Sequence, residues 1–214
     1  MRGIPAARFA AMLSVPAPTL RLMTERIDLM ADKAIGVLID SVRQVPSANW
    51  ERPSNLAGWS VRDLVGHATG SAAKIVALVA GEQIWQGPSR PSEWLRDDPV
   101  RYLNELADRL RGALPTADLD APRTSPQGEV PLRRALIFPV CDLALHSWDI
   151  HRCLGRQVEL PPDLLALCQG LVESLPEEML RRPGAFGPAQ PAPENSSPTA
   201  RLMAFLGRSV EPPS

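Results

Sequence analysis

"WSVRDLVGHATG", residues 59–70, reads as the opening of a helix that carries a histidine into a core. Ser60 is a good N-cap, and Asp63, three positions on, can return a hydrogen bond to the cap backbone. Trp59 before the cap and Leu64 at the fourth helical position have the spacing of a hydrophobic staple. The pattern predicts a helix to about Gly81, a residue suited to a left-handed C-cap. His67 follows Leu64 by three positions and precedes Ile75 by eight, so it falls on the inward, apolar stripe.

Working outward, the segments on either side repeat the helical period. Residues 18–45 place Leu22, Ile27, Met30, Ile35, Leu38 and Val42 at amphipathic spacing. Residues 46–59 and 82–98 are loops by their Pro, Ser, Asn and Gly content. A third helix is expected over 99–114, a loop over 115–130, and a fourth helix over 131–155 that Pro139 should kink or leave short of a hydrogen bond. A further helix follows around 161–182, then a Pro-rich linker and a short closing helix. No segment alternates as a strand should. The expectation is an all-α chain: an N-terminal arm over 1–17, a helical bundle over 18–182 built on four helices, and a C-terminal helical extension over 183–214.

Composition supports one domain and narrows the partners. The chain has 214 residues, is 44% hydrophobic and carries a net charge of -1. A core of ordinary size is available, and no net field favours nucleic acid or an anionic membrane. No apolar run reaches the ~18–20 residues of a membrane span, and Pro5 and Arg8 interrupt any secretory signal. Cys141, Cys153 and Cys168 form no C-x-x-C pair and read as reduced thiols in a cytoplasmic protein. Lys33 and Lys74 are the only lysines among 23 basic residues, a bias that suggests a GC-rich genome.

The chemistry-bearing stretch is "CDLALHSWDIHRC", residues 141–153, which holds two of the chain's three histidines. Asp142 and His146 are four apart and share one face. Leu143, Ile150 and Cys153 lie near that face, so it points inward, where a lone carboxylate is costly. His151 points away and reads as peripheral. With His67 on another helix, the pair makes a two-histidine, one-carboxylate set. Such a set suits a divalent ion, zinc first, with nickel or iron as alternatives, and three protein ligands leave a position for substrate. The spacing leaves other readings open: His67 as a hydrogen-bonded core residue, Asp142 paired with His146, or Asp142 paired with an arginine. Trp148 reads as packing near the site. Asp149 reads either as an acceptor that fixes an imidazole tautomer or as a salt-bridge partner of Arg62 or Arg152. Arg208 could bind an anionic substrate or cap the last helix.

Three stretches together resemble a known family. "NWERPSNLAGWSVRDLVGHATG" (49–70), "DLALHSWDIHRCLG" (142–155) and "PTARLMAFLGR" (198–208) follow, in order, the signatures of the mycothiol-dependent maleylpyruvate isomerase N-terminal family of the DinB-like superfamily. The likeness runs from about residue 22 to 208. It implies a DinB-like four-helix bundle with a divalent metal held by His67, Asp142 and His146. Asp142 stands where the characterised isomerase has a glutamate. The separate C-terminal domain that supplies that enzyme's substrate-handling arginine is represented here only by a short tail, so maleylpyruvate is not the expected substrate.

The function expected is a metal-dependent thiol S-transferase or thiol-dependent isomerase. Mycothiol or another low-molecular-weight thiol would attack an electrophilic small molecule as a metal-bound thiolate. The alternatives are a bundle that binds metal or a small molecule without catalysis, an enzyme using metal-bound water, and one using a metal-free pocket. Homodimerisation is left open.

Overall fold

The structure, a computed structural model, describes residues 26–85, 87–125, 128–182 and 184–211. The expected N-terminal arm and the first residues of the expected 18–45 helix, Leu22 among them, lie outside the described residues.

Four long helices form the body. Helix α1 (Ile27–Arg43) buries Ile27, Met30, Ile35, Leu38 and Val42, the inward set given by its periodicity. Helix α2 (Val61–Ala80) begins with the capping box: Ser60 Oγ accepts from the Asp63 amide at 3.1 Å and Asp63 Oδ2 accepts from the Ser60 amide at 2.9 Å. It ends at Gly81, whose φ of 74° is left-handed and would strain a side-chain-bearing residue. A short turn of helix, α3 (Pro91–Trp94), lies against α2. Helix α4 (Pro99–Ala113) buries only the narrow stripe Leu103, Leu106, Ala107 and Leu110.

The connection from α4 differs from the expected loop. Strands β1 (Pro122–Ser125) and β2 (Gly128–Pro131) pair antiparallel, Arg123 facing Val130 and Thr124 facing Glu129. Their residues are exposed or half-buried, so no apolar alternation announces them. The hairpin returns the chain towards the end of α2, where Arg123 Nε donates to the Leu78 carbonyl at 2.6 Å.

The expected single helix over 131–155 is two: α5 (Leu132–Ala135) and α6 (Ile137–Cys153), separated at Leu136. Proline explains where the break falls. Pro139 has no N–H to give the Ala135 carbonyl, so the ladder lapses one turn before it. Pro139 becomes the third residue of α6, where an amide would lack an intrahelical partner anyway. Helix α7 (Pro162–Ser174) stops before Pro176, and α8 (Glu177–Leu180) is a separate turn. The chain then runs to α9 (Pro198–Phe205), capped by Ser197. Thr199 Oγ1 accepts from the Leu160 amide at 3.1 Å and ties α9 to the start of α7.

Helices α1 and α2 each pack on both α4 and α6, and α7 packs on α6 and touches α1. The ring order is α1, α4, α2, α6. Leu38, Leu64, Leu103 and Leu143, one from each helix, are all 0% exposed. Each such burial contributes about 1.5–3 kcal/mol, so apolar contacts supply the bulk of the ring's closure. The buried polar groups between α2 and α6 carry a desolvation cost. Among the described residues, no helix is long and apolar enough to cross a membrane.

Candidate metal centre

His67 lies at the end of the second turn of α2, and Asp142 and His146 lie on α6, the helix α2 packs against. The i, i+4 spacing on α6 stacks the acid below the imidazole. The structure brings all three side chains together. One donor atom from each lies within 4.8 Å of the others. His67 Nε2 is 3.2 Å from Asp142 Oδ2, and His146 Nε2 is 3.4 Å from Asp142 Oδ1. The two rings stand edge to face, centroids 5.0 Å apart.

The other ring nitrogens fix the tautomers. His67 Nδ1 is 2.8 Å from the Ser89 carbonyl oxygen, which can only accept, so Nδ1 carries the proton. His146 Nδ1 is 3.0 Å from Asp149 Oδ2. Asp149 is 0% exposed. Burial would raise its pKa, but the Arg208 guanidinium and His146 lower it to about 2. It is therefore an ionised acceptor, and His146 Nδ1 also donates. In the neutral form each ring would turn a bare Nε2 lone pair towards a carboxylate. Three acceptors facing one another repel unless a cation lies among them.

A proton is one such cation. Burial opposes charging His146, yet Asp142 and Asp149 raise its pKa to about 9. Burial likewise opposes ionising Asp142, but His146 and His67 hold its carboxyl well below the usual range. A divalent ion is the other. Two donors each about 2.1 Å from one ion in tetrahedral or octahedral geometry lie roughly 3.0–3.4 Å apart, close to the two separations from Asp142. The two separations go to different oxygens of Asp142, and a donor from each of the three residues lies within 4.8 Å of the others; tautomers and donor types suit a divalent ion, which His67, Asp142 and His146 would hold. The two imidazoles are nearly buried, whereas the Asp142 side chain is 33% exposed, so the cluster meets solvent at the carboxylate.

Several neighbours were not legible in the sequence. Ser71, one turn beyond His67, donates to Asp142 Oδ2 at 2.6 Å. Trp59 does more than precede a cap: its ring centroid lies 4.9 Å from that of His67 and 6.5 Å from that of His146. The loop of residues 51–60 bounds an open groove of about 450 Å³ that Trp59 helps to line. Asn55 from that loop donates to Asp149 Oδ1 at 2.6 Å. Lys74, on the same side of α2, donates to the Gly87 carbonyl at 2.8 Å and sits 4.9 Å from the Trp85 ring centroid.

The segment carrying Ser89 is held by close approach. A Cβ at Gly66 would lie 2.5 Å from the Pro91 carbonyl oxygen, and one at Gly70 would lie 2.4 Å from Ser89 Cβ. Two glycines inside a helix cost about 1 kcal/mol each relative to alanine. Here they let the 89–94 backbone reach His67, and they were the available signal for that contact.

The remaining candidates fall as follows. Asp149 pairs with neither Arg62 nor Arg152 but with Arg208, at 3.1 Å. Arg62 pairs with Glu51. Arg208 also donates to the Leu206 carbonyl at the end of α9. Trp148 is buried, with the Arg152 guanidinium 5.9 Å from its ring centroid, and makes no ring contact with either imidazole. His151 is half-buried and outside the cluster, and burial, with Arg156, lowers its pKa. Cys141 and Cys168 are buried free thiols, and Cys153 is a half-buried one.

Comparison with known proteins adds to this geometry. Two uncharacterised proteins, from two strains of Mycobacterium tuberculosis, are 26% identical to this chain over 161 residues, 74% of it and 84% of each relative. Crystal structures of the mycothiol-dependent maleylpyruvate isomerase and of a histidine-to-alanine mutant of it superpose with a TM-score of 0.53 at 18% identity, covering 67% of each chain. That likeness shows a shared fold. Residues 31–151, more than half the chain, match the mycothiol maleylpyruvate isomerase N-terminal domain family. The chain belongs to that family.

Proposed function

We propose that this protein is an enzyme of the thiol-dependent isomerase or thiol S-transferase type, working with a divalent metal held by His67, Asp142 and His146. The observation that carries the reading is the commitment of both Nδ1 protons to outside partners. Once the cluster's proton is displaced, this leaves two Nε2 lone pairs and a carboxylate oxygen grouped within 4.8 Å of one another. Zinc suits the set best, with nickel or iron as alternatives. A bound ion with an open coordination position lowers a thiol's pKa and stabilises the thiolate at neutral pH. Mycothiol, named in the isomerase to which this fold is similar, is the thiol proposed.

The chain's own residues do the rest. Ser71 holds one oxygen of Asp142, which keeps the half-open carboxylate in a single orientation. Trp59 lies against both imidazoles on the side of the 51–60 loop. That loop and the segment after α2 frame the approach and would select the electrophile. Lys74 has no carboxylate within ion-pair distance among the described residues, so its ammonium adds positive charge on the approach side of α2.

One observation favours a second reading. The pKa of about 9 at His146 means that a proton can occupy the cluster at neutral pH. A metal-free pocket that uses this charged imidazole as a hydrogen-bond donor is the alternative.

Metal analysis and a thiol melt separate the two. The enzyme reading expects about one equivalent of a divalent metal per purified chain, lost in His67→Ala. It also expects a melting temperature raised by several degrees by mycothiol at ~100 times its Kd, only when metal is present. Metal content unchanged by His67→Ala, or a mycothiol response that survives chelation, would contradict it.

A further inference from the structure

The last described stretch of the chain reaches the centre from outside the bundle. Arg208, three residues past α9, is 7% exposed, and among the described residues its one carboxylate partner is the fully buried Asp149. Nη2 donates to Asp149 Oδ2 at 3.1 Å and Nε leans towards Oδ1 at 3.4 Å. Nη1 is spent on the Leu206 carbonyl at 3.0 Å, and Phe186 lies against the guanidinium, 5.4 Å from ring centroid to Cζ. The same Asp149 Oδ2 accepts from His146 Nδ1.

The backbone around Arg208 is built for this contact. Gly207 has a φ of 87°, and a Cβ there would lie 2.8 Å from Gly187 Cα. Two strands of chain from the C-terminal extension therefore cross at glycine immediately before the arginine. Arg208 is aimed at Asp149 by a turn that few other residues could make.

We propose that Arg208 is a positioning residue of the metal centre: through Asp149 it fixes the ring of His146, so that the C-terminal extension is part of the site. The inference rests on the metal reading above. A carboxylate that accepts from both an arginine and a histidine has its two oxygens pinned in one plane. Without Arg208, only Asn55 and the imidazole hold Asp149. The carboxylate would be free to turn, and the imidazole would lose the partner that sets its tautomer and angle. A tail residue thereby acts on His146 through Asp149, from which it lies 59 positions away in the chain.

Cobalt titration of the chelator-stripped full chain tests this, with visible absorption reporting ligand geometry. Wild type is expected to bind one Co²⁺. Arg208→Met, which keeps bulk but no charge, should bind about 10- to 100-fold more weakly and with an altered visible spectrum. Arg208→Lys should recover part of both. Adding Arg208→Met to Asp149→Asn should weaken binding by no more than about twofold, because Arg208 acts through Asp149. A purely structural arginine would lower the melting temperature of every variant and leave the spectrum and this coupling unchanged. Wild-type affinity and spectrum in Arg208→Met, or additive losses in the double variant, would overturn the proposal while leaving the metal reading standing. A wild-type chain that takes up no cobalt would overturn both. Should Arg208→Met fail to fold, Arg208→Lys carries the test, since a spectrum identical to wild type with full affinity at the lost bidentate geometry contradicts the role.

Discussion

Asp149 Oδ2 lies 3.0 Å from His146 Nδ1, one turn of α6 away, and the aspartate is fully buried. That contact sets which nitrogen of His146 faces Asp142 and His67. Replacing Asp149 by Asn keeps the shape and removes the charge. The variant should lose about 10- to 100-fold in divalent-metal affinity. It should also lose about 3–5 kcal/mol of stability, because Arg208 is left as a buried charge without its partner. Metal titration and urea unfolding of the metal-free chain measure the two effects separately.

Ser71 should matter to metal and little to folding. Its hydroxyl holds Asp142 Oδ2 at 2.6 Å, and Asp142 is partly exposed. Ser71→Ala frees a carboxylate that water can still solvate. Metal affinity should fall by roughly tenfold while the unfolding midpoint moves by less than that of Asp149→Asn.

The pH dependence has opposite signs with and without metal. His146 has its pKa raised from 6.5 to about 9 by the neighbouring carboxylates, against the effect of burial. A raised pKa in the folded state stabilises the metal-free protein fully below about 6.5, and that contribution is lost as pH climbs through 9. Metal binding must displace this proton, so apparent affinity should rise by about tenfold per pH unit over the same interval. Melts of the stripped chain and metal titrations between pH 6.5 and 9 check both slopes. Flat profiles would remove the proton from the account.

Steric tests address the segment that carries Ser89. Gly70→Ala sets a methyl group against Ser89 and Trp94, and Gly66→Ala sets one against the Pro91 backbone. Each should cost about 1–3 kcal/mol by overpacking. Each should also weaken metal binding, because the displaced Ser89 carbonyl holds His67 Nδ1. Gly36 on α1 has open space where its Cβ would be, so Gly36→Ala should be neutral or stabilising by up to about 1 kcal/mol.

What could be read beforehand was local. The Ser60–Asp63 cap, the Gly81 stop and the one-turn spacing of Asp142 and His146 follow from periods of three and four residues, and the structure has all of them. Pro139 signalled an interruption of the 131–155 helix, and the break at Leu136 falls one turn before it because a proline disrupts the turn preceding itself. The β1–β2 hairpin was missed because its short strands hold exposed and half-buried residues with no apolar alternation in sequence. The ties from Ser89 to His67 and from Arg208 to Asp149 cross 22 and 59 positions. No periodicity encodes such contacts. Gly66 and Gly70 hinted at the first, and the charge of an arginine after α9 hinted at the second without naming its partner.

The most direct measurement is a crystal structure of the full chain grown with zinc, with anomalous data collected on both sides of the zinc edge. The account predicts one anomalous peak bonded to Nε2 of His67, Nε2 of His146 and a carboxylate oxygen of Asp142 at about 2.0–2.2 Å, with Asp149 still on His146 Nδ1. No peak there, with the two imidazoles hydrogen-bonded directly to Asp142, would contradict it.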